Sequence, residues 1–268
     1  MDDRNRLFAL RKLAETELKI AAAAGEMRDF GWCRLAVSQR FPFYSPGWAV
    51  FPQFAPGEGD AAKDLESVIG SIAPEMKSCG ASGLRVVFSP ELTGDYLAKN
   101  LSEDLFLLDF KQEIRDVYAW VKAKKPASQP GIEIRAASSD WEAAAPAFEE
   151  PESPMPAADR MAIHRMRDGN LPGYKTLIAF LNGAPAGRMA YFNDGVAGRL
   201  HGLYVLPGFR RKGVATALMD AGLAAARDAG NIVIGVIARR ESPARFLYVD
   251  FGFAKIGEIA IYEGKAPL

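Results

Sequence analysis

Apolar residues recur at helical spacing over Asp3–Ala24, where Leu7, Leu10, Ala14 and Leu18 fall on one side and Gly25 follows. Beyond it the period shortens. Trp32–Ser38 and Trp48–Phe54 read as strands on either side of a Pro42–Pro46 turn, and Gly57–Asp60 leads into a helix over Ala61–Cys79. Leu84–Phe88 is a compact apolar strand, and Ser89-Pro90 is an N-cap followed by proline at the first helical position. Leu105–Phe110 reads as a further strand, and Ile114–Val121 as an amphipathic stretch. Lys122–Gly131 carries three lysines and two prolines among small residues, which predicts an exposed boundary. Two domains follow, 1–125 and 131–268.

The second half has the sharper pattern. Ile132–Ala136 alternates, Asp140 caps a helix from Trp141, and Glu149–Pro156 is an acidic, proline-rich loop between helices. A helix over Ala157–Arg167 brings Met161, His164 and Arg165 towards one face. Lys175–Asn182 and Ala186–Asn193 form a hairpin across Asn182-Gly183, and Asp194-Gly195 turns the chain again. Leu200–Val205 is then a strand stopped by Pro207-Gly208. From Gly213 the period becomes helical, with Val214, Ala217, Leu218, Ala221 and Ala225 on one face and Gly230 at the end. Ile232–Ile237 is a continuous apolar run suited to a strand buried on both faces, completing a right-handed βαβ unit. Ser242-Pro243 opens a last helix with Ala244, Leu247, Tyr248 and Phe251 inward, and Phe253–Tyr262 closes the chain as a strand. The fold class is α+β, built on a mixed α/β sheet.

The loop Arg210-Arg211-Lys212-Gly213 therefore lies where a strand hands over to a helix. Three cationic side chains, unpaired helix N–H groups and the positive end of the dipole converge there, a combination suited to a diphosphate. Alone, it reads more readily as a solvated basic turn, and no Walker A pattern occurs in the chain.

Two spaced patterns add to this. Arg210-x-x-Gly213-x-Ala215 resembles the acyl-CoA signature of the Gcn5-related N-acetyltransferase (GNAT) family, and Ala244-x-x-Leu247-Tyr248-x-x-x-Gly252-Phe253 resembles its second motif. The resemblance spans roughly Ile132–Tyr262, with one departure: Glu241 stands where the second motif has asparagine. It implies a GNAT fold in the C-terminal half and acetyl-CoA as co-substrate, bound by Leu203, Tyr204, Val205, Arg210, Arg211, Lys212, Gly213, Val214, Ala215, Thr216, Glu241, Ala244 and Tyr248. It also implies Tyr248 as the acid that meets the leaving sulfur. Leu200-His201-Gly202-Leu203-Tyr204-Val205 is similar to a strand of the arylalkylamine N-acetyltransferases, which implies His201 as the base that takes the amine proton. The alternatives are a histidine packed on the sheet and a tyrosine of the core. Gly202 suits the bulge that the family places on this strand, and strand alternation puts Tyr204 on the face opposite His201. Glu149, Glu150 and Glu152 are either recruiters of a cationic acceptor or a solvated acidic loop.

Composition narrows the remaining classes. Lys plus Arg and Asp plus Glu are both 33, which gives no global electrostatic case for nucleic acid or a membrane surface. Two cysteines, Cys33 and Cys79, and two histidines exclude a disulfide framework and a Cys/His zinc site, so no metal is expected. A polar N-terminus and no apolar run of membrane-spanning length make the cytoplasm the expected location. The leading expectation is an N-acetyltransferase acting on a small-molecule amine. Its rivals are a catalytically silent acyl-CoA sensor or scaffold, and an acyltransferase for another acyl-CoA or acceptor. The order of elements around Leu84, Ser89 and Leu105 echoes that around Ile232, Ser242 and Phe253, which suggests a degenerate GNAT-like copy or an unrelated α+β domain in the first half. Oligomeric state is not encoded in any of these patterns.

Overall fold

The computed structural model describes residues 1–23, 25–29, 33–38, 49–52, 70, 73–74, 76–78, 80, 83–93, 95–122 and 131–265. The turn expected at 42–46, most of the helix expected over 61–79, Cys79 and most of the expected linker lie outside these residues. In chain order the elements are α1 (Asp3–Ala22), β1 (Glu26–Asp29), β2 (Cys33–Val37), β3 (Ala49–Pro52), β4 (Gly83–Phe88), α2 (Pro90–Thr93), α3 (Asp95–Leu107) and β5 (Lys111–Trp120). They continue with β6 (Ile132–Ala136), α4 (Trp141–Ala144), α5 (Ala157–Asn170), β7 (Tyr174–Leu181), β8 (Ala184–Asn193) and β9 (Ala197–Val205). The last are α6 (Val214–Asp228), β10 (Val233–Arg239), α7 (Ala244–Asp250) and β11 (Phe253–Lys265). No helix among the described residues is long and apolar enough to cross a membrane.

The chain divides into two compact units. One comprises Asp2–Val117, Arg239–Glu241 and Ile256–Leu268, and the other is built from Tyr118–Ala238 and Ser242–Lys255. The division thus falls within β5, ahead of the proline-rich segment, and β11 continues past the second unit.

In the N-terminal unit the strands run in the order β1-β2-β3-β4-β11. β3 and β4 are parallel, while β11 pairs antiparallel with β4 from Ala260↔Phe88 to Lys265↔Gly83. Asp2 caps α1 by accepting the Asn5 N–H at 2.8 Å, and α1 buries Leu10, Leu13 and Ile20. The strand expected over Leu105–Phe110 is instead the end of α3. Leu101 and Leu105, one turn apart, are buried, whereas Phe106, Leu107 and Leu108 are exposed. The Phe110 N–H reaches the Leu105 carbonyl at 3.0 Å and the Asp109 N–H the Phe106 carbonyl at 3.1 Å. This is a Schellman closure with Asp109, at φ 61°, in the position usually held by glycine. The amphipathic stretch at Ile114–Val121 is β5, and β1 had no signal in the sequence.

In the C-terminal unit the strands run β10-β9-β8-β7-β6. The expected hairpin joins β7 to β8, with Asn182 and Gly183 both at positive φ (52° and 80°), as a type I′ turn requires. β9 and β10 are parallel and α6 lies between them in sequence, the βαβ unit read from the sequence. The buried face of α6 is Val214, Leu218, Met219, Gly222, Leu223 and Ala226, shifted from the expected alanine stripe, whose Ala217, Ala221 and Ala225 are only half-buried. Glycine sets this packing. A Cβ on Gly222 would stand 2.4 Å from Met189 Cε and 2.8 Å from Leu200 Cδ2, and one on Gly187 would stand 2.6 Å from the Tyr204 carbonyl. At Gly222 the missing side chain lets the middle of α6 lie directly on β8 and β9. Ile232 lies just outside β10 and is exposed.

Candidate functional site

The site is built where β9 changes partners. On one side β9 pairs with β8 from Asn193↔Gly198 to Gly187↔Val205. Between Ala190↔His201 and Arg188↔Tyr204 the register slips, with Gly202 at φ 64°, so β9 bulges where glycine was expected to allow it. On the other side, β9 is paired with β10 only over Ala197–Leu200 with Val233–Val236. From His201 onward that edge has left the β10 ladder.

The bulge also corrects one expectation. Arg188 and Ala190 are two apart on β8 and share a face, so their partners Tyr204 and His201 share that face too. The extra residue cancels the alternation that would have placed them on opposite sides.

Downstream, Pro207–Phe209 forms a single 3₁₀ turn and α6 begins at Val214 with Gly213 as its N-cap at φ 80°, ψ 0°. No side chain caps this helix. The Ala217 N–H is the first to find a helical acceptor, the Gly213 carbonyl at 3.0 Å, so the amides of Val214, Ala215 and Thr216 are those a helix start leaves available. Arg211 also has positive φ (63°), giving the loop a tight curl of main-chain N–H groups. Lys212 Nζ is tied to the Gly208 carbonyl at 2.9 Å. The exposed Arg210 donates from Nε to the Val205 carbonyl at 3.1 Å and stands 3.6 Å from Glu152.

The acidic loop is thus engaged by the chain itself. Glu150 pairs with Arg188, whose side chain is buried and also donates from Nη1 to the Ala147 carbonyl at 2.7 Å. Arg188 stacks between two rings, its Cζ 5.0 Å from the Phe148 centroid and 5.1 Å from that of Tyr204. The Tyr204 hydroxyl donates to Glu152 at 3.2 Å. Glu152's own backbone amide, then Tyr204 and Arg210, hold its carboxyl below the usual carboxylate range, while burial pushes the Tyr204 phenol up, helped by Glu152 and Glu150. Of the three residues once grouped on α5, His164 is buried, Met161 half-buried and Arg165 exposed.

Tyr248 sits on α7, whose start is held by the Ser242 Oγ accepting the Ala244 N–H at 3.3 Å. Its ring packs at 5.9 Å from Tyr118 and edge-on to Phe253 at 6.2 Å, and only 7% of it is exposed. Burial pushes its phenol up to about 12, against the opposing pull of the Arg199 charge.

Residues 137–253 match the sequence profile of the acetyltransferase (GNAT) family. The segment is a GNAT domain. Solved structures agree in fold. A GCN5-related N-acetyltransferase from Kribbella flavida superposes with a TM-score of 0.66 at 15% identity, covering 96% of this chain and 95% of its own. A tandem GNAT protein from the clavulanic acid biosynthesis pathway gives a TM-score of 0.59 at 15% identity over 88% of this chain and 79% of its own. A third, from Sphaerobacter thermophilus, gives 0.58 at 14% over 88% and 77%. No curated protein matches the sequence. GNAT proteins are acyltransferases that draw on acyl-CoA, so the chemistry to be served here is acyl transfer.

The GNAT domain brings Leu203, Tyr204, Val205 and Arg210–Thr216 together around the bulge and the start of α6. Ala244 and Tyr248 share the core cluster that packs α6 and α7. Glu241 is exposed and belongs to the other unit. Arg188 belongs to none of the sequence motifs. Its signal is a lone arginine amid small and apolar residues of β8, which on a buried strand demands a partner.

Proposed function

We propose that the C-terminal unit is an acetyl-CoA-dependent N-acetyltransferase whose acceptor is the amine of a small molecule. The observation that carries this reading is the parting of β9 from β10 after Leu200 and Val236, at a bulge on Gly202 and upstream of an uncapped helix. The freed edge at Leu203–Val205 offers main-chain groups that a peptide-like pantetheine arm pairs with as an added strand would. The amides of Val214–Thr216 at the start of α6, with the loop cations, suit a diphosphate. Acyl-CoA supplies an activated thioester carbonyl. A strand N–H at the bulge polarises that carbonyl, His201 takes the proton as the amine nitrogen bonds to carbon, and the C–S bond breaks.

Tyr248 meets the sulfur with its hydroxyl. With its phenol at about 12 and a thiol near ~8.5, handing over the proton completely would cost about 5 kcal/mol. Tyr248 therefore keeps its proton and stabilises the thiolate as a hydrogen-bond donor. The N-terminal unit is read as a degenerate second copy. The fold likeness to a tandem GNAT protein over 88% of this chain supports that reading.

The test is release of free thiol from acetyl-CoA by the full chain against a panel of small primary amines, with Tyr248→Phe alongside. The reading expects release with at least one amine. It expects turnover in Tyr248→Phe to fall by about tenfold or more at unchanged CoA affinity. CoA binding without thiol release for any amine would favour the silent sensor, and undiminished turnover in the variant would return Tyr248 to the core.

A further inference from the structure

His164 is one of only two histidines in the chain, and none of the roles above uses it. It is buried on α5, edge-on to Phe148 at 5.3 Å. Its Nδ1 lies 3.3 Å from the Thr176 Oγ1 and 3.3 Å from the Tyr174 hydroxyl, which ties that side of the ring to β7. The opposite edge faces β9. A Cβ built on Gly202 would stand 3.7 Å from Cε1 and 4.0 Å from Nε2, so no side chain separates the ring from the bulge. His201, the residue before Gly202, projects from the face of β9 that carries Tyr204. Tyr204 stacks on Arg188, which also touches Phe148, so this is the face the His164 ring lies against.

We propose that His164 is a positioning residue for His201: Nδ1–H is held by the two hydroxyls of β7, and the Nε2 lone pair accepts the ring N–H of His201, leaving the other His201 nitrogen as the base. The proposal rests on the reading of His201 as that base. A base oriented by a third group is the general logic of such pairs, and here the orienter is a neutral ring in place of a carboxylate. Neutrality is supported by the surroundings. Burial first, then the charges of Arg188 on β8, Arg167 on the same helix and His201 on β9, hold the His164 imidazole well below its ordinary range. The hydroxyls of Tyr174 and Thr176 complete its neighbours from β7.

Because the chain has two histidines, the full-length protein labelled with 15N-histidine gives two imidazole spin systems in two-bond 1H–15N spectra. The proposal expects His164 in the neutral Nδ1–H form at about pH 7 and on into the range where an ordinary histidine is protonated, and a single fixed tautomer for neutral His201. His164→Phe should release His201 into a mixture of tautomers. His164→Gln, whose amide oxygen can stand in for Nε2, should restore it. With the amine that releases most thiol, His164→Phe should lower kcat about tenfold and move the acid limb of the pH profile, with KM for acetyl-CoA unchanged. An Nε2–H tautomer at His164, or a His201 spectrum identical in wild type and His164→Phe, overturns the proposal. His201→Gln keeps the two readings apart. Full turnover there removes the base assignment and this proposal with it, whereas lost turnover there beside a normal His164→Phe removes this proposal alone.

Discussion

A histidine held neutral in the folded state makes stability depend on pH, and His164 gives that dependence a definite sign. The folded ring stays unprotonated because its pKa lies well below the ordinary value, whereas the unfolded chain takes up a proton near ~6.5. Below that value the unfolded state binds more protons, so acid favours unfolding. The contribution is complete above pH ~6.5 and is lost progressively as pH falls through that value towards the folded pKa. Between pH 7 and pH 5 the unfolded ring goes from mostly neutral to almost fully charged, which sets a ceiling of about 2 kcal/mol on what the folded state loses. For a chain of this size that corresponds to a fall in Tm of roughly 4–8 °C. Other groups also titrate in this window, so the measurement is a difference: thermal unfolding of wild type and His164→Gln at pH 7 and at pH 5. The wild type should lose more than the variant over that interval, by up to about 2 kcal/mol. Equal losses in the two proteins would mean that His164 is protonated in the fold, and the account of the β7–β9 cluster would be wrong.

Two further changes probe the packing and the loop. Gly222→Val should destabilise by about 1–3 kcal/mol in chemical denaturation, since even a Cβ there would meet Met189 Cε at 2.4 Å; an unchanged midpoint would place α6 elsewhere. Glu152→Gln removes the carboxylate 3.6 Å from Arg210 and should tighten coenzyme A binding a few-fold at low salt, an effect that fades at high salt. Calorimetric titration at two ionic strengths reads it, and identical affinities at low salt would show that Arg210 is not drawn away by Glu152.

What the sequence made legible was mostly local. Asn182-Gly183 announced its turn, Gly213 marked where α6 begins, and the continuous apolar run of β10 announced burial on both faces. The misreadings have local causes of another kind. Leu105–Phe110 is apolar enough for a strand, but Asp109 adopts the conformation that glycine normally signals, so the end of α3 was hidden. Tyr204 was put on the wrong face because a bulge shifts every residue after it, and a single glycine does not say which neighbours share the extra position. The engagement of Glu150 by Arg188 and of Glu152 by Tyr204 and Arg210 links residues far apart in the chain, which periodicity cannot reach. The same is true of His164, whose meeting with Gly202 depends on α5 lying over β9.

The most direct test of the acyl-CoA site is the affinity of the full chain for coenzyme A in wild type, Gly213→Asn and Gly213→Asp. Any side chain at φ 80° carries a backbone strain of about 1–2 kcal/mol, and asparagine and aspartate share it, so the comparison isolates one negative charge at the start of α6. The account predicts that Gly213→Asn binds coenzyme A and that Gly213→Asp, folded to the same degree, binds at least about tenfold more weakly. Equal affinity in the aspartate and asparagine variants would contradict it, because the main-chain amides of this turn would then not be what holds the diphosphate.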